Sequence, residues 1–367
     1  AAPVRGAAAP AAPLSKKIPV TILSGFLGSG KSSLLRAIVS GDHGLRVAVV
    51  ENEFGATGGL ESAIASDGVR SLNLDGSIVE LRNGCVCCSV KGELVQALEQ
   101  LVGERAGGGR KFDGIVVELS GVANPGPVAS SFWLDAALES ILELDAVVNV
   151  VDCSNFLRTL AGTGGREARQ QVAFADRVLM NKCDLVDSET RLSVEAAVSN
   201  LNPTAERRTS TRGEGDYQVD GWILRTGCFG GAARTTFRHV AETPGSFAAK
   251  SLHETPLGAV AVTTPRLVDR RQLELLLHNL LELPDDDRER PVVYRAKGAI
   301  WCASAGGRQL LLVQAVYDTF EISPLDVADE TPFSNESRIV FIGENLGRGD
   351  LQIQFDRCCT DELSDDA

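Results

Sequence analysis

The sequence predicts an α/β domain built on a mostly parallel sheet, followed by a smaller α+β domain. Three observations carry that expectation. From Ile18 to about Leu201, short apolar runs of strand length alternate with helical patterns, the signature of a parallel sheet wrapped by helices. A glycine-rich segment separates the first of those runs from the first helical pattern. Beyond a Gly-, Ala- and Thr-rich stretch at about 226–251, strand-like runs follow one another around one amphipathic helix. A chain of 367 residues has room for about two domains at roughly 100 to 200 residues each.

In the first domain the expected strands are 18–23, 46–50, 77–81, 114–118, 146–151 and 177–180, with a further strand at 221–225 completing the sheet. Pro19 cannot donate to a ladder, so it belongs at the first residues of its strand. The second domain is expected to run as strand 258–264, helix 269–283, strands 291–302, 309–321 and 337–342, and a short helix 350–358. Asp285-Asp286-Asp287 reads as a solvated turn. The chain thus divides into an Ala- and Pro-rich tail at 1–17, a nucleotide-binding domain at 18–225, a linker at 226–251, the α+β domain at 252–359 and an acidic tail at 360–367.

Composition narrows the function classes. Hydrophobic residues at 44% and charged residues at 23% are ordinary globular usage, so the core is not in question. A formal net charge of −13 without a Lys/Arg stripe argues against a nucleic-acid partner. No run of about 18 apolar residues suggests a membrane span. Nine cysteines, an odd number, argue for reduced thiols in an intracellular, reducing compartment, the cytoplasm first. The tail at 1–17 ends in Lys16-Lys17 and is expected to be disordered, a remnant of an organelle transit peptide, plastid or other, or of a truncated gene.

Gly25-Phe26-Leu27-Gly28-Ser29-Gly30-Lys31-Ser32 fits the phosphate-loop pattern G-x-x-x-x-G-K-[ST], and Ser33 opens the helix behind it. Successive backbone N–H groups there can wrap a β-phosphate, Lys31 can reach the β- and γ-phosphates, and the Ser32 hydroxyl can bind Mg²⁺. Asn181-Lys182-Cys183-Asp184 follows a later strand at the ligand-binding edge of the sheet. The Asp184 carboxylate can accept from guanine N1–H and the exocyclic amine, a donor pair adenine lacks, so GTP is expected over ATP. Glu51-Asn52-Glu53-Phe54-Gly55 and Glu118-Leu119-Ser120-Gly121 put carboxylates at the same edge. Glu118 is the first candidate for the acidic Mg²⁺ partner and Asp152 the second, with Lys31, Glu118 and Glu53 as the candidate catalytic residues.

Cys85-Val86-Cys87-Cys88 sets three thiols on a polar loop beside Asn83, Gly84 and Ser89. Thiolates suit Zn²⁺ and related ions, and three of them leave a fourth position open to water, to Glu51 or Glu53, or to a partner's ligand. None of the chain's four histidines adjoins the cluster. Of the remaining cysteines, Cys153, Cys183, Cys228 and Cys302 read as structural or incidental, while the pair Cys358-Cys359 could bind metal.

In this order the motifs resemble the CobW-type metallochaperone GTPases, whose P-loop NTPase domain carries a smaller C-terminal domain. Arg295-Ala296-Lys297-Gly298, Val313-Gln314-Ala315-Val316 and Val340-Phe341-Ile342-Gly343 resemble that second domain, so the likeness covers nearly everything beyond the tail. Ala56-Thr57, Cys88-Ser89-Val90-Lys91 and Ser131-Phe132-Trp133-Leu134-Asp135 resemble most the eukaryotic zinc-regulated GTPase metalloprotein activators. The resemblance implies GTP hydrolysis with Mg²⁺, and zinc held by Cys85, Cys87 and Cys88 for transfer to a client metalloprotein. Departures are Ser32-Ser33 after Lys31 where Thr-Thr is commoner, Tyr317 where many relatives have histidine, and the lack of a His-rich stretch. Ligand softness does not separate Zn²⁺ from Co²⁺, so cobalt insertion stays open, as do a nucleotide-bound metal buffer without turnover, a P-loop kinase and a homodimer.

Overall fold

A computed structural model describes residues 17–41, 43–52, 78–80, 98, 112–134, 136–211, 214–215, 217–229, 257–282, 291–304, 307–325, 336–348 and 350–360. The thiol cluster at 85–88, Glu53, and residues 1–16 and 361–367 of the two tails lie outside the described residues; Thr360, expected to open the acidic tail, instead pairs with Leu267 in a short strand.

The first domain holds an eight-stranded sheet of β1 (Ile18–Ser24), β2 (Val47–Asn52), β3 (Ile78–Glu80), β4 (Gly114–Leu119), β5 (Leu142–Asp152), β6 (Arg177–Asn181), β7 (Glu206–Thr211) and β8 (Glu214–Gly215). Its order is β3-β2-β4-β1-β5-β6-β7-β8, parallel throughout except for the closing β7–β8 pair. Strand β1 is central and wholly buried, so it reads as a continuous apolar run rather than an alternating one. Its Leu23 faces Glu118 on one side and Val148 on the other. The loop after β1 therefore leaves the sheet between the carboxyl ends of β4 and β5. Pro19 occupies the second position of β1, as expected of a residue without an N–H.

Among the described residues, six helices flank this sheet: α1 (Lys31–Ser40), α2 (Gly126–Leu134), α3 (Ala136–Ile141), α4 (Phe156–Ala161), α5 (Gly165–Phe174) and α6 (Ser188–Leu201). In α6, Val194, Val198 and Leu201 recur on one face and are buried, and Asp187 caps the helix by accepting from Thr190 N at 2.7 Å.

The edge of the sheet departs from expectation. Strand β7 is the polar run Glu206-Arg207-Arg208-Thr209-Ser210-Thr211, which carries no apolar signal and is held in part by Arg177 pairing with Glu206 at 3.2 Å. The expected strand at 221–225 is instead an irregular turn over Val219–Ile223. Gly221 there has φ +86°, incompatible with a strand, and Trp222 is buried under the guanidinium groups of Arg177 and Arg208. Residues 226–229, at the start of the expected linker, pack into the protein. Thr226 and Gly227 donate their backbone N–H groups to Asp145 at 2.8 and 2.9 Å, and Cys228 is buried.

The second domain is a five-stranded antiparallel sheet of β9 (Leu257–Thr264), β11 (Val292–Ser304), β12 (Gly307–Val316), β13 (Thr319–Pro324) and β14 (Ser337–Glu344), in the order β13-β12-β11-β14-β9. A two-stranded ribbon, β10 (Leu267–Val268) with β15 (Cys359–Thr360), stands beside it. Helix α7 (Arg270–Leu281) buries Leu273, Leu276, Leu277 and Leu281 and is capped by Asp269, which accepts from Gln272 N at 2.9 Å. With α8 (Leu351–Asp356) it covers one face of the sheet, including Ile300, Val313, Ile339 and Phe341. The opposite face, with Ala299, Leu312, Val340 and Ile342, belongs to the core of the first domain. The single strand expected at 309–321 is a hairpin, because Tyr317 takes φ +59° and turns the chain between Val316 and Thr319.

The two domains meet at a buried charge cluster. Arg295 and Lys297 on β11 both reach the Asp176 carboxylate, Lys297 at 2.5 Å, and all three side chains are fully buried. The Arg295 guanidinium also donates to the Phe174 carbonyl at 2.6 Å, and both cations lie over the Phe229 ring. Burial, reinforced by the neighbouring Arg295 charge, pushes the Lys297 ammonium below its ordinary pKa.

Candidate nucleotide site

The loop from Gly25 to Gly30 is shaped by its glycines. Gly25 has φ +146° and Gly30 φ +105°, backbone that side chains rarely adopt. A Cβ on Gly30 would stand 2.2 Å from Asn181 Nδ2, and one on Gly25 would stand 2.5 Å from the Val150 carbonyl. The loop then enters α1 directly, with Leu34 N donating to the Gly30 carbonyl at 3.0 Å. The backbone N–H groups of the first turn and the positive end of the helix dipole thus stand at the end of the loop, an arrangement suited to phosphate. Lys31 is buried and its Nζ donates to the Gly25 carbonyl at 2.7 Å. Ser29 Oγ is buried with no hydrogen-bond partner among the described residues.

Ser32 Oγ donates to Glu118 Oε1 at 3.4 Å, although the two are 86 positions apart. Strand pairing of β1 with β4 brings them together, since each stands at or just beyond a carboxyl end. A hydroxyl and a carboxylate side by side form a hard, all-oxygen donor set that fits Mg²⁺.

Asn181, Lys182 and Asp184 stand at the end of β6. Asn181 Nδ2 donates to the Ser29 carbonyl at 2.9 Å, and its Oδ1 accepts from Ser210 Oγ at 3.0 Å. Lys182, with φ +61°, donates to the Gly28 carbonyl and to Asp152 Oδ2, both at 2.7 Å. Asp184 is exposed in a short 3-10 turn, Cys183–Leu185. Residues 25–33 and 181–184 are therefore joined by two hydrogen bonds, one from Asn181 and one from Lys182.

Asp152 does not join Ser32. Its carboxylate accepts from Lys182, Ser154 and Asn155, at 2.7, 2.6 and 2.9 Å, which makes it an anchor for Lys182 rather than a partner of the Ser32 hydroxyl. Burial alone would raise its pKa, but the hydrogen bonds from Asn155, Lys182 and Ser154 outweigh that and hold it below the ordinary value. Ser210 was not expected at the site. The one signal for it is the hydroxyl run Thr209-Ser210-Thr211, ending at the ligand edge of the strand beside β6. Cys358 and Cys359 donate to the Gln354 and Phe355 carbonyls at 3.4 and 3.5 Å, and no group of three metal-ligating side chains occurs among the described residues. No helix among the described residues is long and apolar enough to cross a membrane.

A glycine loop between a central parallel strand and a helix, tied to an Asn-Lys-x-Asp turn two strands away, defines a P-loop nucleotide-binding domain. Residues 19–208 match the CobW/HypB/UreG nucleotide-binding domain, and residues 257–359 match the cobalamin synthesis protein CobW C-terminal domain. The chain belongs to this family of P-loop GTPases. It is 32% identical to the zinc-regulated GTPase metalloprotein activator 1 of Schizosaccharomyces pombe, over 90% of this chain and 83% of that one. It is 30% identical to the zinc chaperone YjiA of Escherichia coli, over 92% and 98% of the two chains. The crystal structure of Zn(II)-bound YjiA GTPase shares the fold, with a TM-score of 0.68 over 94% of this chain and all of that one, at 24% identity.

Proposed function

We propose that this chain is a GTP-hydrolysing metallochaperone that holds zinc on Cys85, Cys87 and Cys88 and passes it to a client metalloprotein. The observation that carries the nucleotide half is the approach of Ser32 to Glu118 at 3.4 Å, beside a phosphate-shaped loop braced by Asn181. In this reading Gly25, Gly28, Ser29, Gly30 and Ser33 supply backbone N–H groups to the phosphates, and Lys31 leaves the Gly25 carbonyl to pair with them. Ser32 and Glu118 hold Mg²⁺, which when bound offsets negative charge on the β- and γ-phosphates. Asp184 accepts from the guanine edge, while Asn181 and Lys182 keep its turn against the loop. Glu53 is the carboxylate assigned to the hydrolytic step from its place after β2.

The zinc half rests on the three thiols at 85–88 and on the zinc named in two relatives. Three protein ligands leave zinc exchangeable, which is what delivery requires. Coupling between nucleotide and metal need be only about 1–3 kcal/mol to change zinc affinity by one to two decades. The test is a zinc titration of the full chain with a non-hydrolysable GTP analogue and, separately, with GDP. Unequal affinities are expected, and loss of tight zinc binding on replacing Cys85, Cys87 and Cys88 by Ser. Equal affinities would remove the coupling; unchanged stoichiometry in the triple variant would remove the site. Cobalt is the second reading, carried by the cobalamin-synthesis family that matches the C-terminal domain. A competition between Zn²⁺ and Co²⁺ in the same titration separates the two. Absence of GTP turnover with zinc and a captured client present would leave a passive metal buffer.

A further inference from the structure

Two cysteines with no assigned role meet behind the base-recognition turn. Cys153 follows β5 directly, Cys183 is the third residue of Asn181-Lys182-Cys183-Asp184, and their sulfurs lie 3.7 Å apart. The sheet brings them there, because Asp152 pairs with Asn181 across β5 and β6. Cys153 is 1% exposed and its backbone N–H is bound to the Asn181 carbonyl at 3.0 Å, so it is fixed to the sheet. Cys183 is half-buried, donates its thiol proton to the Met180 carbonyl at 3.2 Å, and sits on the short turn that carries Asp184.

We propose that Cys153 and Cys183 form a reversible disulfide that closes the guanine-recognition turn to nucleotide under peroxide. The regulatory consequence rests on the guanine reading of Asp184; the disulfide itself does not. The Cys183 thiol gives up its proton and its sulfur attacks one peroxide oxygen; the O–O bond breaks, and the departing hydroxide takes that proton and leaves as water, giving a sulfenic acid at Cys183. The Cys153 sulfur then attacks the Cys183 sulfur, and the departing hydroxide takes the Cys153 proton and leaves as a second water. Two thiols have lost two electrons to one peroxide, and a thiol reductant reverses the step. Burial, followed by the neighbouring Cys183 sulfur, holds the Cys153 thiol well above its ordinary pKa. Cys153 is buried and Cys183 only half-buried, so peroxide reaches Cys183 first and Cys153 is the sulfur that resolves it.

Bond formation must draw the sulfurs from 3.7 Å to about 2.05 Å. Since Cys153 is locked into β5 and its neighbours, the movement falls on the Cys183–Leu185 turn. That movement breaks the Cys183–Met180 hydrogen bond and shifts the Asp184 carboxylate.

The experiment treats the full chain with hydrogen peroxide, in a background with Cys85, Cys87 and Cys88 replaced by Ser, and blocks remaining thiols. Trypsin leaves Cys153 in a peptide ending at Arg158 and Cys183 in the peptide 183–191. A cross-link between those two peptides, lost on reduction, is expected; peroxide treatment that leaves both cysteines alkylatable, or joins either to a different cysteine, overturns the proposal. GDP affinity is then measured before oxidation, after it, and after reduction. At least a tenfold, reversible loss is expected, and none in a Cys153→Ala chain, with Cys153→Ser as the second variant should alanine impair folding. A cross-link that leaves affinity unchanged overturns the regulatory role. A reduced chain that binds no guanine nucleotide refutes the nucleotide reading instead, with the cross-link still scored by mass.

Discussion

Asn181 Nδ2 donates to the Ser29 carbonyl at 2.9 Å, so the turn at the end of β6 and the loop after β1 are held as one unit. The same loop is gripped a second time by Lys182, through the Gly28 carbonyl, and Lys182 is in turn fixed by Asp152. The side chains of Asn181, Lys182 and Asp152 thus fix the backbone of the loop at Gly28 and Ser29.

Asn181→Ala should therefore weaken GDP and GTP together, because the braced loop binds the phosphates of both. Loss of the brace, with the Ser29 carbonyl and Ser210 hydroxyl each left short of a partner, corresponds to about 1–3 kcal/mol, or roughly five- to a hundred-and-fiftyfold in affinity. Asp184→Ala should behave differently, reducing preference for GTP over ATP. A nucleotide panel read by fluorescence or calorimetry separates the two. Equal effects on selectivity would refute this division of labour.

Glu118→Gln keeps the size of the side chain and a hydrogen bond to Ser32 but removes the charge that a divalent cation needs. Turnover should fall by about two to three decades, in line with the loss of one electrostatic stabiliser. The Mg²⁺ concentration for half-maximal turnover should rise with it. GDP affinity in the presence of a chelator should not change, and a variant that loses it has a damaged loop rather than a missing metal ligand.

At the domain junction, one carboxylate serves two buried cations. Asp176→Ala would leave Arg295 and Lys297 without their shared partner, at a cost of about 3–5 kcal/mol. Lys297→Met should cost far less, or be neutral, because the Asp176–Arg295 pair survives and a desolvated ammonium is removed. Urea unfolding of the two variants tests the contrast. A Lys297→Met loss as large as that of Asp176→Ala would show that the ammonium is an essential part of the junction.

Much of this architecture is legible in the sequence, and the exceptions have physical causes. The strands at 18–23, 114–118 and 177–180 announce themselves because a parallel strand buried on both faces must be apolar along its length. Strand β7 was invisible for the opposite reason: as the last parallel strand, next to a two-residue neighbour, it is held by Arg177 and Glu206 rather than by apolar side chains. The hairpin at Tyr317 lacks the Gly or Asn that normally marks a positive φ, so its two strands read as one. Arg295 and Lys297 look like solvent-facing positions on a strand, and only the first domain, packed against that face, makes them a buried pair. At the site, the phosphate loop and the Asn-Lys-x-Asp turn are contiguous motifs and could be located directly. The hydroxyl of Ser210 and the approach of Cys153 to Cys183 depend on strand order, which no local pattern records.

Asp145 gives a pH signature of folding. Its carboxylate is buried and accepts from Thr226 N, Thr226 Oγ1 and Gly227 N, and burial, only partly offset by these hydrogen bonds, raises its pKa from 3.8 to about 6. The folded chain therefore holds this proton more tightly than the unfolded chain does. The protonated group's contribution is fully present below about pH 4, is lost as pH rises toward 6, and is flat above that, for a total of about 3 kcal/mol. Asp145→Asn removes the titration while keeping one carbonyl acceptor for the Thr226–Gly227 turn. The difference in urea midpoint between the native chain and this variant should favour the native chain at pH 4 and shrink steadily to pH 7. A difference that stays constant over that range would mean that Asp145 titrates alike in the folded and unfolded states.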